Sequence, residues 1–187
     1  MISANDLKPG VVFEHKGSIW KVVEYAHIKP GKGPAFVRVK IRDLRSGAIV
    51  EETSRTDAKF QDVRVEAREL QYLFGDEHLV TFMDTETYEQ FEVAKETVED
   101  ELKFIREGDK VKGEFNGQEI ISIVPPIAVV LEVVETEPGV RGDTVSNTTK
   151  PATVETGAVV KVPLFVNSGD KIKIDTRTGE YLERAKD

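Results

Sequence analysis

The sequence predicts an all-β protein built from small barrels, and three observations predict it. Short runs that alternate apolar and polar side chains recur along the chain, bounded by glycine, proline or asparagine turn signals. A single stretch carries helical spacing, so at most one or two short helices are expected. A pentapeptide also recurs at a domain-like distance, which points to duplicated barrels.

Gly17-Ser18 leads into a strand at residues 19–25. In residues 36–42 apolar and basic positions alternate, so Val37, Val39 and Ile41, or Phe36 with its neighbours if a bulge intervenes, should face a core and Arg38, Lys40 and Arg42 solvent. Arg45-Ser46-Gly47 turns the chain into the next run, residues 48–53. Residues 79–83 and 88–93 read as a hairpin. The helix candidate is residues 94–105, where Val98, Leu102 and Ile105 fall at helical spacing among acids. Gly108-Asp109-Lys110-Val111-Lys112 returns 61 residues later as Gly169-Asp170-Lys171-Ile172-Lys173, and a turn signal follows each copy, Asn116-Gly117 and Thr178-Gly179. Two five-stranded OB barrels, which close their own edges, fit this pattern. Pro125-Pro126 cannot donate to a central ladder, so a strand should end there. The expected domains are residues 1–63, 64–126 and 127–187.

Charge separates these domains. Residues 1–62 hold 11 basic and 8 acidic side chains, whereas residues 63–126 hold 7 and 16. The net charge of −8 argues against nucleic acid as a partner, yet residues 25–42 contain Lys29, Lys32, Arg38, Lys40 and Arg42 and no acid. A basic stripe on an acidic chain is a candidate phosphate footprint, although a solvated hairpin face is the commoner meaning of such a run. The absence of cysteine excludes disulfides, thiolate metal ligands and a cysteine nucleophile, and suits a reducing cytosol. His15, His27 and His78 form no ligand-like pair, so no metal is expected. There is no apolar run of membrane-spanning length and no secretory pattern, so the expectation is a cytoplasmic protein with no membrane partner.

The most informative segment lies between two strand-like runs. Pro30-Gly31-Lys32-Gly33-Pro34 places a lysine between glycines that permit unusual backbone angles and prolines that stop strand pairing. Lys32 is expected at a hairpin tip, projecting into solvent. A single exposed lysine is ordinarily plain surface; the symmetrical frame inside a basic stripe sets this one apart. It is not a promising catalytic amine, because a lysine needs burial or a cationic neighbour to lower its pKa, and a glycine-flanked tip offers no pocket. No Ser/His/Asp set, P-loop or dinucleotide fingerprint occurs, so no enzyme activity and no cofactor are expected. Glu99-Asp100-Glu101 reads as a solvated face. Residues 141–147 form a polar loop where OB barrels often present ligand contacts, though such a loop is more often plain surface.

Residues 150–169 carry a longer pattern: Lys150, Ala152, Gly157, Val160, Val162-Pro163, Val166 and Gly169. This pattern resembles the C-terminal signature of bacterial elongation factor P, and Pro30-Gly31-Lys32-Gly33 with Ala35-Phe36 resembles the same family's modified-lysine loop. The resemblance covers the whole chain. It implies an SH3-like (KOW-type) first barrel followed by two OB barrels in an L-shaped arrangement, acting as a monomer. It implies binding to the ribosome between the peptidyl-tRNA and exit sites and relief of stalling at consecutive prolines. Proline is a poor nucleophile and polyproline is stiff, so help by positioning is physically reasonable.

The resemblance makes Lys32 the acceptor of a covalent extension attached by a modifying enzyme and placed beside the CCA end of peptidyl-tRNA. Lys29, Arg38, Lys40 and Arg42 would then meet tRNA or rRNA backbone. Gly142, Asp143 and Thr144 resemble the loop that meets the mRNA codon in the exit site, and Tyr181 and Arg184 resemble residues contacting the small subunit. Pro34 departs from many family members, which carry a smaller or more flexible residue, and should stiffen the tip. A lysine at 32 excludes an arginine-rhamnosyl modification and leaves a β-lysyl extension, an aminopentanol extension or none; the Pro-Gly-Lys-Gly-Pro frame favours the last two. The alternatives are an elongation-factor-P-like paralogue and, in a different class, a general RNA-binding OB protein. The latter needs aromatic stacking platforms on a basic groove, which this chain is poorly supplied to build.

Overall fold

The computed structural model describes residues 1–139 and 148–186, which form three β-sheets. The chain divides into two compact units, Met1–Arg68 with Gly113–Ser122, and Glu69–Lys112 with Ile123–Asp187.

The first sheet contains β1 (Ile2–Ser3), β2 (Val12–His15), β3 (Ser18–Ile28), β4 (Phe36–Asp43), β5 (Ile49–Arg55) and β6 (Lys59–Asp62), in the order β1-β6-β2-β3-β4-β5. Lys16 and Gly17 join β2 to β3 with φ of 51° and 78°. Positive φ at both positions of a two-residue turn matches the right-handed twist of the strands it joins. The alternation in β4 works as expected: Val37, Val39 and Ile41 are buried with Leu7, Phe13 and Val22. Glu52 of β5 meets His15 Nε2 at 2.9 Å and Lys16 Nζ at 2.6 Å. Burial alone would raise the Glu52 carboxyl; the hydrogen bond from Lys16 and the charge of His15 hold it below its usual value.

The second sheet contains β7 (Glu66–Gly75), β8 (Leu79–Asp84), β9 (Gln90–Ala94), β10 (Lys110–Asn116) and β11 (Glu119–Val124), in the order β11-β10-β7-β8-β9. The third contains β12 (Ala128–Thr136), β13 (Thr149–Val154), β14 (Val159–Pro163), β15 (Lys171–Asp175) and β16 (Tyr181–Arg184), in the order β14-β13-β12-β15-β16. Counted from its own first strand, each sheet runs 3-2-1-4-5, the same topology twice. β11 ends immediately before Pro125-Pro126.

The pentapeptide repeat is the hinge of that duplication. Gly108 and Gly169 have φ of 90° and 93°, which glycine alone adopts freely. The backbone N–H groups of Arg106 and Asn167 each donate to an Asp Oδ2, of Asp109 and Asp170 respectively, at 2.9 Å. Gly108 N–H donates to the Tyr72 carbonyl and Gly169 N–H to the Val133 carbonyl, at 2.6 and 2.7 Å. Tyr72 and Val133 each adjoin a register shift in the first strand of their sheet.

A second device closes a hairpin in every sheet. Asp43, Asp84 and Asp175 are buried, and the Oδ1 of each accepts the backbone N–H two residues on. The N–H four residues on donates to the same Asp carbonyl, from Gly47, Tyr88 and Gly179 with φ of 74°, 62° and 75°. These are turn-stabilising uses of a short acidic side chain. The Arg177 guanidinium and two backbone N–H groups hold the Asp175 carboxyl down at about 2. Burial would raise Asp43, but the N–H groups of Arg45 and Ser46 hold it below its usual value.

The expected helix over residues 94–105 contracts. Lys95–Thr97 is a 3-10 turn and only α1 (Glu99–Leu102) is α-helical. Thr97 Oγ1 bonds back to the Ala94 carbonyl at 2.7 Å, a local bond that competes with helix propagation. Val98 and Ile105 are buried as the spacing requires, but so is Phe104, which belongs to the core of the third sheet with Leu131, Val154 and Ile172. The chain leaves the helix to deliver that ring.

Candidate functional site

The site is built on the longest hairpin of the first sheet. β3 and β4 pair from Trp20↔Asp43 outward to Ile28↔Phe36 and then separate. Residues 29–35 form the tip. Gly33 has φ of 105°, a conformation strained for any L side chain, and a side chain at Gly31 would meet open space. Lys32 is exposed with Lys29, Pro30 and Pro34. Among the described residues Lys32 makes no hydrogen bond or ion pair.

Register defines the face beneath the tip. Residues directly opposite in a ladder share a side of the sheet, so β3, β4 and β5 present outward rows. Ile28, Phe36 and Arg55 form the row nearest the tip; Ala26, Arg38 and Thr53 follow, then Glu24, Lys40 and Glu51. Arg42 lies one row further on, opposite Lys21 and Ile49, and is half-buried. The stripe that is acid-free in sequence is therefore not acid-free in space. Lys40 Nζ is 3.1 Å from Glu24 and Arg38 Nε is 3.6 Å from Glu51.

Arg55 completes the basic end of this face and was missed in the sequence. Its side chain is 82% exposed, with the guanidinium 3.2 Å from the exposed Asp57. It stands 23 residues beyond Lys32, and only the pairing Phe36↔Arg55 brings it to the root of the tip. The alternation Glu51, Thr53, Arg55 after the Gly47 turn was the available signal. Arg55 thus stands opposite Phe36, a half-buried ring, with Arg38 two residues further along β4 and Lys29 and Lys32 in the tip beyond. Cations beside an aromatic ring can take phosphate and a base together.

Two other predicted residues, Tyr181 and Arg184, lie in the third sheet. Tyr181 packs against its core, opposite Ile174. Arg184 is exposed, with its guanidinium 5.4 Å from the Phe165 ring centroid and 3.7 Å from Asp170. Gly142, Asp143 and Thr144 lie outside the described residues. β12 and β13 are clamped to each other: Lys150, buried in β13, donates to the Glu137 carbonyl at 2.6 Å, and Thr136 Oγ1 donates to the Pro151 carbonyl at 2.9 Å. Among the described residues no group of three or more His, Asp or Glu side chains is placed to hold a metal ion, and no helix is long and apolar enough to cross a membrane.

Three family models match the chain. Residues 3–60 match the elongation factor P KOW-like domain, residues 65–123 the elongation factor P OB domain, and residues 129–184 the elongation factor P C-terminal domain. The chain is 54% identical over 184 residues to elongation factor P from Caldanaerobacter subterraneus subsp. tengcongensis, a match covering 98% of this chain and 100% of that protein. It is 52% identical, with the same coverage, to elongation factor P from Acetivibrio thermocellus. Among solved structures, eukaryotic translation initiation factor 5A from Methanococcus jannaschii aligns at 23% identity with a TM-score of 0.48, covering 66% of this chain and 93% of that one.

Proposed function

The chain belongs to the elongation factor P family, and on that premise we propose that it is a translation elongation factor whose working group is Lys32. It binds the ribosome beside peptidyl-tRNA in the cytoplasm and relieves stalling at consecutive prolines. The observation that carries this reading is the tip itself: Lys32 stands clear of its own barrel, framed by Gly31 and Gly33, above a cluster of cations.

The physical role is positioning. Lys32, bare or extended by a modifying enzyme, borders the CCA end of peptidyl-tRNA and restrains it in a geometry that the incoming proline nitrogen can attack. Restraint of this kind lowers the barrier without proton transfer by the protein, so no catalytic residue of its own is required. Lys29, Arg38 and Arg55 hold RNA backbone at the tip root, where phosphate contacts position without reading sequence. Residues 142–144 meet the exit-site codon, and Arg184 with Tyr181 meets the small subunit. The acidic surface of the second domain limits promiscuous RNA binding.

The test is translation of a consecutive-proline reporter with Lys32→Ala, paired with mass spectrometry of the Lys32 peptide from native protein. Loss of rescue is expected, and rescue at the wild-type level would overturn the mechanism. The mass spectrum decides whether the tip carries an aminopentanol group, a β-lysyl group or none.

A further inference from the structure

We infer that Glu114, acting through Lys21, is a positioning residue for the Lys32 tip. The inference rests on the reading that Lys32 works by being held in place.

The first barrel and the hairpin Gly113–Ser122 form one compact unit. At their seam Val12 and Ile19 of the barrel are buried with Ile121 of β11, and Leu44, Val63 and Val65 pack around them. Apolar contacts of this kind hold two surfaces together without much preference for direction. Glu114 supplies the direction. Its Oε2 accepts from Lys21 Nζ at 3.1 Å and from Ser122 Oγ at 2.6 Å. The Lys21 and Glu114 side chains retain 23% and 12% of their exposure. Charges this withdrawn from water are compensated only in good geometry, so a tilt that separates them leaves an uncompensated charge.

Lys21 lies on β3, the strand that runs to Ile28 at the tip root with one register shift on the way, between Val22 and Glu24. At about 3.3 Å per residue the root stands roughly 23 Å from the pair. A tilt of about 5° at the seam moves the root by about 2 Å at that reach. Where a protein acts by positioning, a misplacement of about 1 Å can cost roughly a hundredfold in rate.

The experiment uses the full chain in a ribosomal assay of consecutive-proline peptide bonds, with rate measured against protein concentration. Glu114→Gln and Lys21→Met are each expected to lower the saturating rate about tenfold while leaving the half-saturating concentration nearly unchanged. The charge exchange K21E/E114K is expected to recover most of that loss. A rate loss that the exchange does not recover would assign the effect to packing and overturn the inference. So would wild-type saturating rates for Glu114→Gln and Lys21→Met in an assay where Lys32→Ala is inactive. Full activity of Lys32→Ala would instead overturn the functional reading on which the inference rests. As a second measurement, Glu114→Gln should broaden the distance distribution between spin labels at the tip and on the hairpin at Gly117; an unchanged distribution would also overturn it.

Discussion

Arg38 Nε lies 3.6 Å from Oε1 of Glu51, across the β4–β5 ladder. Glu51 also stands directly opposite Lys40, whose other neighbour is Glu24. Glu24 and Glu51 flank Lys40 in its row, so the positive face is graded: partly neutralised at the Lys40 row, paired with one exposed acid, Asp57, at Arg55, and open at Lys29 and Lys32.

Glu51→Gln should therefore tighten ribosome binding. Both partners of the pair are about half exposed or more, and such pairs are worth about 0–1 kcal/mol to the fold. The variant should keep its unfolding midpoint. A cation released toward phosphate should make binding a few-fold tighter at low salt and steepen the salt dependence by about 0.7–0.9. Binding isotherms at several KCl concentrations would check this, and unchanged affinity would show that Arg38 does not meet RNA.

Arg55→Ala should do the opposite. If Arg55 meets one phosphate at the tip root, its loss weakens binding and reduces the salt slope by about 1. Lys40→Ala should change the slope little, because Lys40 stands between two acids, Glu24 at 3.1 Å and Glu51 directly opposite, whereas the more exposed Arg55 is paired with Asp57 alone among the described residues. Equal effects from the two variants would contradict the graded face.

How much of this was legible in the sequence follows from how local each feature is. The alternation of Val37, Val39 and Ile41 showed the inward side of β4 because pleating needs only neighbours. The repeat at 108–112 and 169–173 showed the duplicated sheets because glycine at positive φ and an aspartate accepting a nearby N–H are short-range turn chemistry. Arg55 and Glu51 were not legible as neighbours of the site, since the register of a separate ladder places them. Phe104 falls off the stripe of Val98, Leu102 and Ile105, so helical spacing does not single it out. It is buried because residues 131–174 build the pocket it enters, and nothing within the helix segment announces that.

Phe104→Ala should destabilise the third sheet more than any change within the short helix. The ring is 3% exposed, and a side chain added at Gly179 would touch it at 3.4 Å. Truncating a buried phenylalanine costs about 3–5 kcal/mol. Chemical denaturation followed by NMR should show resonances of Leu131 and Ile172 lost first. A loss below about 1 kcal/mol would mean that the pocket collapses around the gap.

Asp175→Asn should remove a defined part of the acid sensitivity. The folded carboxyl sits at about 2 because Arg177 and two N–H groups favour its charged form. An unfolded aspartate titrates near about 3.9. The folded pKa is the lower one, so the stabilisation is complete above about pH 4 and fades as pH falls toward 2. Wild type should therefore exceed the variant in stability at pH 6 by a margin that narrows between about pH 4 and 2. A margin constant with pH would show that the charge of Asp175 does not matter to its loop.

Tyr88→Gly should stabilise the chain. Tyr88 occupies the position in its hairpin loop that Gly47 and Gly179 occupy in theirs, and it has φ of 62°. The left-handed region costs an L residue roughly 1–2 kcal/mol. Glycine relieves that strain but loses more freedom on folding, which returns roughly 0.5–1 kcal/mol. The tyrosine is 72% exposed, so little packing is given up. The net expectation is a gain of about 0.5 kcal/mol, read as a raised denaturation midpoint with an unchanged slope. Gly47→Tyr should show the reverse sign and a larger size, since it imposes strain on a loop that now has none. If Tyr88→Gly instead lowers the midpoint, the ring contributes packing that outweighs its strained backbone.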